Sequence, residues 1–233
     1  MTKRLLVFIW IHFLLSASGF SQEASREGDL SKPFKTANIR FEQNETDGDV
    51  EVVFEVKGDD EGLAMLTVVS PDGRTVIDFM APDSSTLGIR QFRFESPEPK
   101  DVDGLKSAYS EGVYKFSGYS INGKEFYSES TLNHNLPATV FILQPGADEE
   151  DVIIERLTIK WTPVENLAAY IIEIDQDELD VKLLVKLPGS VTEFSVPEGF
   201  LQSGLEYTLS IGTVAKDGNS SFVETSFITT GEE

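Results

Sequence analysis

The chain is predicted to be all-β, two tandem antiparallel β-sandwiches following a signal peptide. Three observations carry this. Apolar and polar residues alternate with period two in short runs, the pattern of strands with one face buried. Pro, Gly, Asn and Asp cluster between the runs, where turns need them. The 233 residues hold two sandwiches of about 100 residues each behind a short leader. With 40% hydrophobic and 25% charged residues, the composition is that of a globular chain able to bury a core.

The leader comes first. Met1 to Arg4 carries two positive charges, Leu5 to Leu15 is apolar except for His12, and Ser16 to Gln22 is small and polar apart from Phe20. This three-part pattern predicts a secretory signal peptide over residues 1–21, cut after Ser21, although a cut after Ser18 would use the small pair Ser16 and Ser18 equally well. The apolar run falls short of the roughly 20 residues of a membrane span. The expected location is therefore secreted or periplasmic, with no membrane insertion after cleavage. Residues 22–36 lack alternation and read as a flexible lead-in segment.

The first sandwich is placed at residues 37–132. Val50, Val52, Phe54 and Val56 share one face of a strand whose other face is mostly charged. Leu63 to Val69 and Thr75 to Met80 flank Ser70-Pro71-Asp72-Gly73-Arg74, a hairpin connection. Phe92 and Phe94 lie in a strand ending at Glu95, residues 97–110 have room for a helical turn, and Gly112 to Ser120 places Tyr114 and Phe116 together. Asn122-Gly123 then turns the chain into Lys124 to Leu132.

Residues 133–137 break the alternation and carry Pro137, so they are read as a linker. The second sandwich follows at 138–230. Seven strands are expected there: Thr139 to Leu143, a strand bearing Leu157, Ile159 and Trp161, Ala168 to Ile174, Val181 to Lys186, Thr192 to Val196, Leu205 to Ile211, and Ser221 to Thr229. Trp161-Thr162-Pro163-Val164, Ala169-Tyr170 with Ile172, and Leu201-Gln202-Ser203-Gly204-Leu205-Glu206-Tyr207 together resemble the core Trp, third strand and tyrosine corner of fibronectin type III domains. Gly218-Asn219 and Phe227 to Thr230 are similar to that family's last turn and strand. The first half resembles an immunoglobulin-like sandwich by pattern only.

The same residues limit the chemistry. Cysteine is absent, which excludes disulfides, thiolate metal sites and a nucleophilic Cys. Outside the leader the one histidine is His134, in the linker, and no Gly-x-Ser-x-Gly motif or phosphate-cradling Gly loop occurs. The chain is therefore read as a non-enzyme. Its net charge of −21 repels phosphate backbones and anionic lipid, which disfavours nucleic acid and membrane surfaces as partners.

What remains is an exported binding or spacer module, monomeric, with a protein partner. The alternative is an accessory carbohydrate-binding module using strands that hold Tyr114, Tyr119, Phe126 and Tyr127. The candidate interaction loops are Asp175, Asp177, Glu178 and Asp180 in one connection, and Lys216, Asp217 and Asn219 in another. No cofactor is expected. The first loop resembles half of a calcium loop, with oxygen ligands at alternating positions, but lacks the central Gly and terminal Glu of an EF-hand, so a solvated turn is preferred. Asn44-Glu45-Thr46 and Asn219-Ser220-Ser221 fit the glycosylation sequon.

Overall fold

The computed structural model describes residues 31–81, 83, 88–97, 99 and 101–231. The expected signal peptide, and residues 22–30 of the lead-in, lie outside the described residues. The first half runs β1 (Thr36–Asn44), β2 (Asp49–Lys57), β3 (Leu63–Val69), β4 (Thr75–Met80), β5 (Gln91–Glu95), α1 (Val102–Ala108), β6 (Gly112–Ser120) and β7 (Glu125–Leu132). Strands β1, β2 and β5 form one layer and β4-β3-β6-β7 the other. Their inward residues make one core, in which Ile39, Phe41, Val52 and Phe54 meet Leu66, Val68, Tyr114 and Phe116. Burial of each such side chain stabilises the fold by about 1.5–3 kcal/mol. Gly123, at φ +76°, lets the β6–β7 connection close in two residues. Helix α1 starts on Asp101, whose Oδ1 accepts from the Gly104 amide at 2.6 Å.

The second half runs β8 (Ile142–Gln144), β9 (Glu149–Ile153), β10 (Thr158–Trp161), β11 (Leu167–Gln176), β12 (Val181–Pro188), β13 (Glu193–Ser195), β14 (Glu206–Ala215) and β15 (Ser220–Thr230). A three-stranded sheet, β13-β10-β8, faces β12-β11-β14-β15. Trp161 fills the space between them edge-on to Tyr170, ring centroids 5.4 Å apart. Tyr207 stacks on Phe227, and its hydroxyl accepts from the Gln202 amide at 2.9 Å, which is the expected tyrosine corner.

With β9 set aside, both halves are wired alike: strands one, two and five in one layer, strands three, four, six and seven in the other. They share a further detail. Tyr114, near the start of the sixth strand of the first half, donates to the Ser110 carbonyl at 3.1 Å, a second tyrosine corner. The first half thus repeats the architecture of the second with little shared sequence.

One strand is added to the expected set, and one local reading is corrected. Glu149 to Ile153, which none of the expected strands covers, is strand β9, paired in parallel with the end of β15. Residues 31–36 are tied down: the Lys32 amide donates to the Glu125 carbonyl at 3.0 Å, its carbonyl accepts from Tyr127, and Phe34 is buried against Phe126. Phe34 is the one large apolar residue between Leu30 and Ile39, and without alternation around it nothing local marks it as a core residue.

The two cores are joined by one sheet. The outer edge of β15 pairs in parallel with β1, Glu42 to Asn44 lying beside Ser220 to Phe222, so β12-β11-β14-β15-β1-β2-β5 is continuous. Residues 133–137 pass alongside this junction and are fastened to it. The Asn219 side chain accepts from the Phe41 amide at 2.8 Å and donates to the carbonyls of Asn133 at 3.0 Å and Asn135 at 2.7 Å.

Candidate functional site

The two predicted loops are hairpin ends. In the β11–β12 connection the buried Gln176 accepts from the Leu179 amide at 2.6 Å and Asp180 takes a positive φ of 50°. This leaves Asp177, Glu178 and Asp180 exposed. Asp175 is half-buried, with its carboxylate 3.3 Å from Lys182 Nζ, and Glu173 pairs with the same lysine. The alternating acids that suggest half a calcium loop therefore split between solvent and a lysine across the hairpin. Among the described residues no group of three or more His, Asp or Glu side chains is placed to hold a metal ion.

In the β14–β15 connection Lys216 and Asp217 are exposed, and Asp217 accepts from Asn133 Nδ2 at 2.9 Å. Asn219 departs from the expectation of an exposed loop. It is 2% exposed because its amide is consumed in fastening the junction, and the second sequon is closed off with it. His134 Nε2 donates to the Tyr109 carbonyl at 2.8 Å and its ring packs on Phe41 at 5.0 Å. That is a packing role.

A feature no local pattern announces is the open face of the shared sheet. It forms a trough of about 650 Å³ lined from both halves. One row of neighbours crosses it: Lys186, Ile171, Gly212, Phe222, Asn44 and Asp49. The Phe222 ring lies so close over Gly212 that a Cβ there would stand 2.4 Å from it, so the glycine makes room for the aromatic floor. Leu184, on β12, extends that floor and is 59% exposed.

The wall on β1, β2 and β5 is charged. Arg40 pairs with Glu42 and Glu55, and Arg93 reaches Glu42 at 3.0 Å and also pairs with Glu95. Burial works against the charge of Glu42, but Arg40, the Ser220 hydroxyl and Arg93 outweigh it and hold the carboxyl below its ordinary value. Glu51 lies directly across the ladder from Glu42, with no ion-pair partner among the described residues. Burial first, then the charges of Glu95, Asp49 and Glu42, push its carboxyl up to about 7.

This has a testable consequence for stability. The folded chain holds a proton on Glu51 that the unfolded chain releases above its ordinary range, so folding stability contributed here falls as pH rises from about 4.5 to 7. Glu51→Gln should therefore raise stability at pH 8 by about 1 kcal/mol, since the side chain keeps part of its water, and change little at pH 4. Urea unfolding at the two pH values checks both numbers.

No protein-family model matches the chain, and no curated protein does. Solved structures do. A two-domain fibronectin type III segment of chicken tenascin is 15% identical, with 84% of this chain and 98% of that one covered and a TM-score of 0.30. The FN1-FN3 domains of chicken CNTN1 are 12% identical over 85% of this chain and 66% of that one, TM-score 0.30. Fibronectin(III)-like modules of Clostridium thermocellum CbhA are 10% identical over 88% and 93%, TM-score 0.33. The fold is fibronectin type III-like, as the strand wiring, the core Trp161 and the Tyr207 corner already show in this chain itself.

Among the described residues no helix is long and apolar enough to cross a membrane. Of the aromatics expected to bear on carbohydrate, Tyr114 and Phe126 are buried, whereas Tyr119 and Tyr127 are each 41% exposed on the outer face of β6 and β7. The register puts Tyr127 opposite Ser117, two residues from Tyr119, so the two rings are diagonal neighbours.

Proposed function

We propose that the chain is an exported, non-enzymatic module of two fibronectin type III-like domains, residues 37–132 and 138–230 with 133–137 between them, that captures a protein partner outside the cytoplasm. Sandwiches of this kind are common as cell-surface domains. The observation that carries the reading is the trough of the shared sheet. Its floor and walls come from both halves, and the β1–β15 pairing with the Asn219 fastening holds them as one surface. A passive spacer has no need of a half-buried apolar floor, with Leu184 exposed at its edge, flanked by charges.

The test is affinity capture on cell-envelope and secreted fractions, with and without calcium, read by mass spectrometry and glycan analysis. A specific protein is expected, retained after chelation. Asp177→Ala with Glu178→Ala should leave capture within about twofold, because those side chains lie outside the trough. Capture of nothing supports a spacer instead. Enrichment of a glycan, lost on Tyr119→Ala with Tyr127→Ala, supports the second reading, an accessory carbohydrate-binding module, which the paired exposed tyrosines favour.

A further inference from the structure

The charges of the trough sort themselves once internal ion pairs are set aside. Arg40, Arg93 and Lys182 are each shared between two carboxylates. That leaves Asp49 and Glu51 on β2, Glu224 on the middle strand β15, and Lys186 on the opposite rim with no ion pair among the described residues. Asp49 Oδ1 is buried and accepts no hydrogen bond. A desolvated acceptor without a donor costs about 1–3 kcal/mol, so no protein donor offsets that oxygen at the acidic end of the trough. Glu51 stands directly opposite Glu42, whose own charge is taken up by Arg40 and Arg93, so of the opposed pair Glu51 is the carboxylate left without a cation among the described residues. Between the acidic side and Lys186 lies the apolar floor of Ile171 and Phe222, with Leu184 beside Lys186 on β12.

Resting on the binding-module reading, we propose that this trough receives an extended partner segment with an arginine or lysine at one end, apolar residues in the middle and a carboxylate at the other end. The cationic head lies over Asp49 and Glu51, the apolar side chains cover Phe222 and Leu184, and the carboxylate meets Lys186. The distance fits such a segment. From β12 to β2 the sheet spans five strand spacings, about 24 Å, which an extended chain crosses in about seven residues. A net charge of −21 steers the basic end inward from solution.

The groups facing Glu51 are Glu42 on β1, Asp49 on its own strand, and Glu95 and Arg93 on β5. With that surrounding, Glu51 gains its charge near neutrality, and a cationic segment binds more tightly at pH 8 than at pH 6.

The experiment uses a displayed library of random heptapeptides selected on the immobilised chain, followed by fluorescence anisotropy with the enriched peptides. Enriched sequences should be basic at one end and apolar in the middle. Asp49→Asn with Glu51→Gln should weaken their binding tenfold or more. Asp177→Asn with Glu178→Gln, the same change in net charge on the exposed hairpin, should leave binding within twofold. Equal losses in the two pairs would mean that only the overall field attracts the peptide, and would overturn the proposal. So would enrichment of acidic or uncharged sequences, or of nothing. Should affinity capture still retrieve a protein in that event, the binding-module reading stands and its contact surface lies elsewhere.

Discussion

Asn219→Ala is expected to lower the stability of the chain by about 3 kcal/mol and to loosen one place above all others, the β1–β15 junction. The magnitude follows from the count of groups left without partners. Asn219 accepts from the buried Phe41 amide and donates to two carbonyls of the passing segment, Asn133 and Asn135, with Asn133 Oδ1 at 3.1 Å as well. Alanine leaves the Phe41 N–H without an acceptor in an environment that excludes water. Asn219→Asp does not repair the damage, because a carboxylate keeps the Phe41 bond but faces two carbonyl oxygens. Urea unfolding measures the loss. Hydrogen exchange locates it, with the Phe41 and Glu45 amides gaining the most. A loss under about 1 kcal/mol with unchanged exchange at both amides would show that the strand pairing holds the halves together without this side chain.

The second large effect belongs to Trp161. Trp161→Ala should cost about 4 kcal/mol, the range for deleting a large buried aromatic. Trp161→Phe should cost only about 1 kcal/mol, because the indole Nε1 is buried without a hydrogen-bond partner and phenylalanine gives up no bond. Tyr207 is the contrast. Its hydroxyl satisfies the Gln202 amide, so Tyr207→Phe, although smaller in volume change, should cost about 1–3 kcal/mol. If Trp161→Phe proved as damaging as Trp161→Ala, the indole nitrogen would have a partner, and ring volume alone would not account for the site.

These residues also show where the sequence is informative. Trp161 and Tyr207 stand out because each is a large aromatic at strand spacing next to a turn, and packing of that kind is local enough to read. Strands such as Leu63–Val69 and Thr75–Met80 have the bounds that their alternation suggests. Strand β9 is hidden because Glu149, Glu150 and Asp151 carry no apolar alternation, and its place is set by the edge of β15 that it covers.

The trough is hidden for a different reason. Its lining is drawn from seven strands and from both halves, so Asp49, Phe222 and Lys186 meet only through register, which no short window encodes. Asn219 misleads in the opposite sense. A Gly-Asn turn reads as exposed, and only the arrival of Phe41 from the far end of the chain turns its amide inward.

The parallel junction has a bearing on how the chain reaches its native state. Glu42 meets Ser220 across a separation of 178 residues, so the outer edge of β1 stays open until β15 has been made. Strands β2 and β7 can close around β1 early, but the side reserved for β15 waits. An unpaired strand edge in a slowly completed topology is a template for pairing with other chains. The interval before β15 arrives is when the protein is most exposed to aggregation or to a chaperone that shields an open edge.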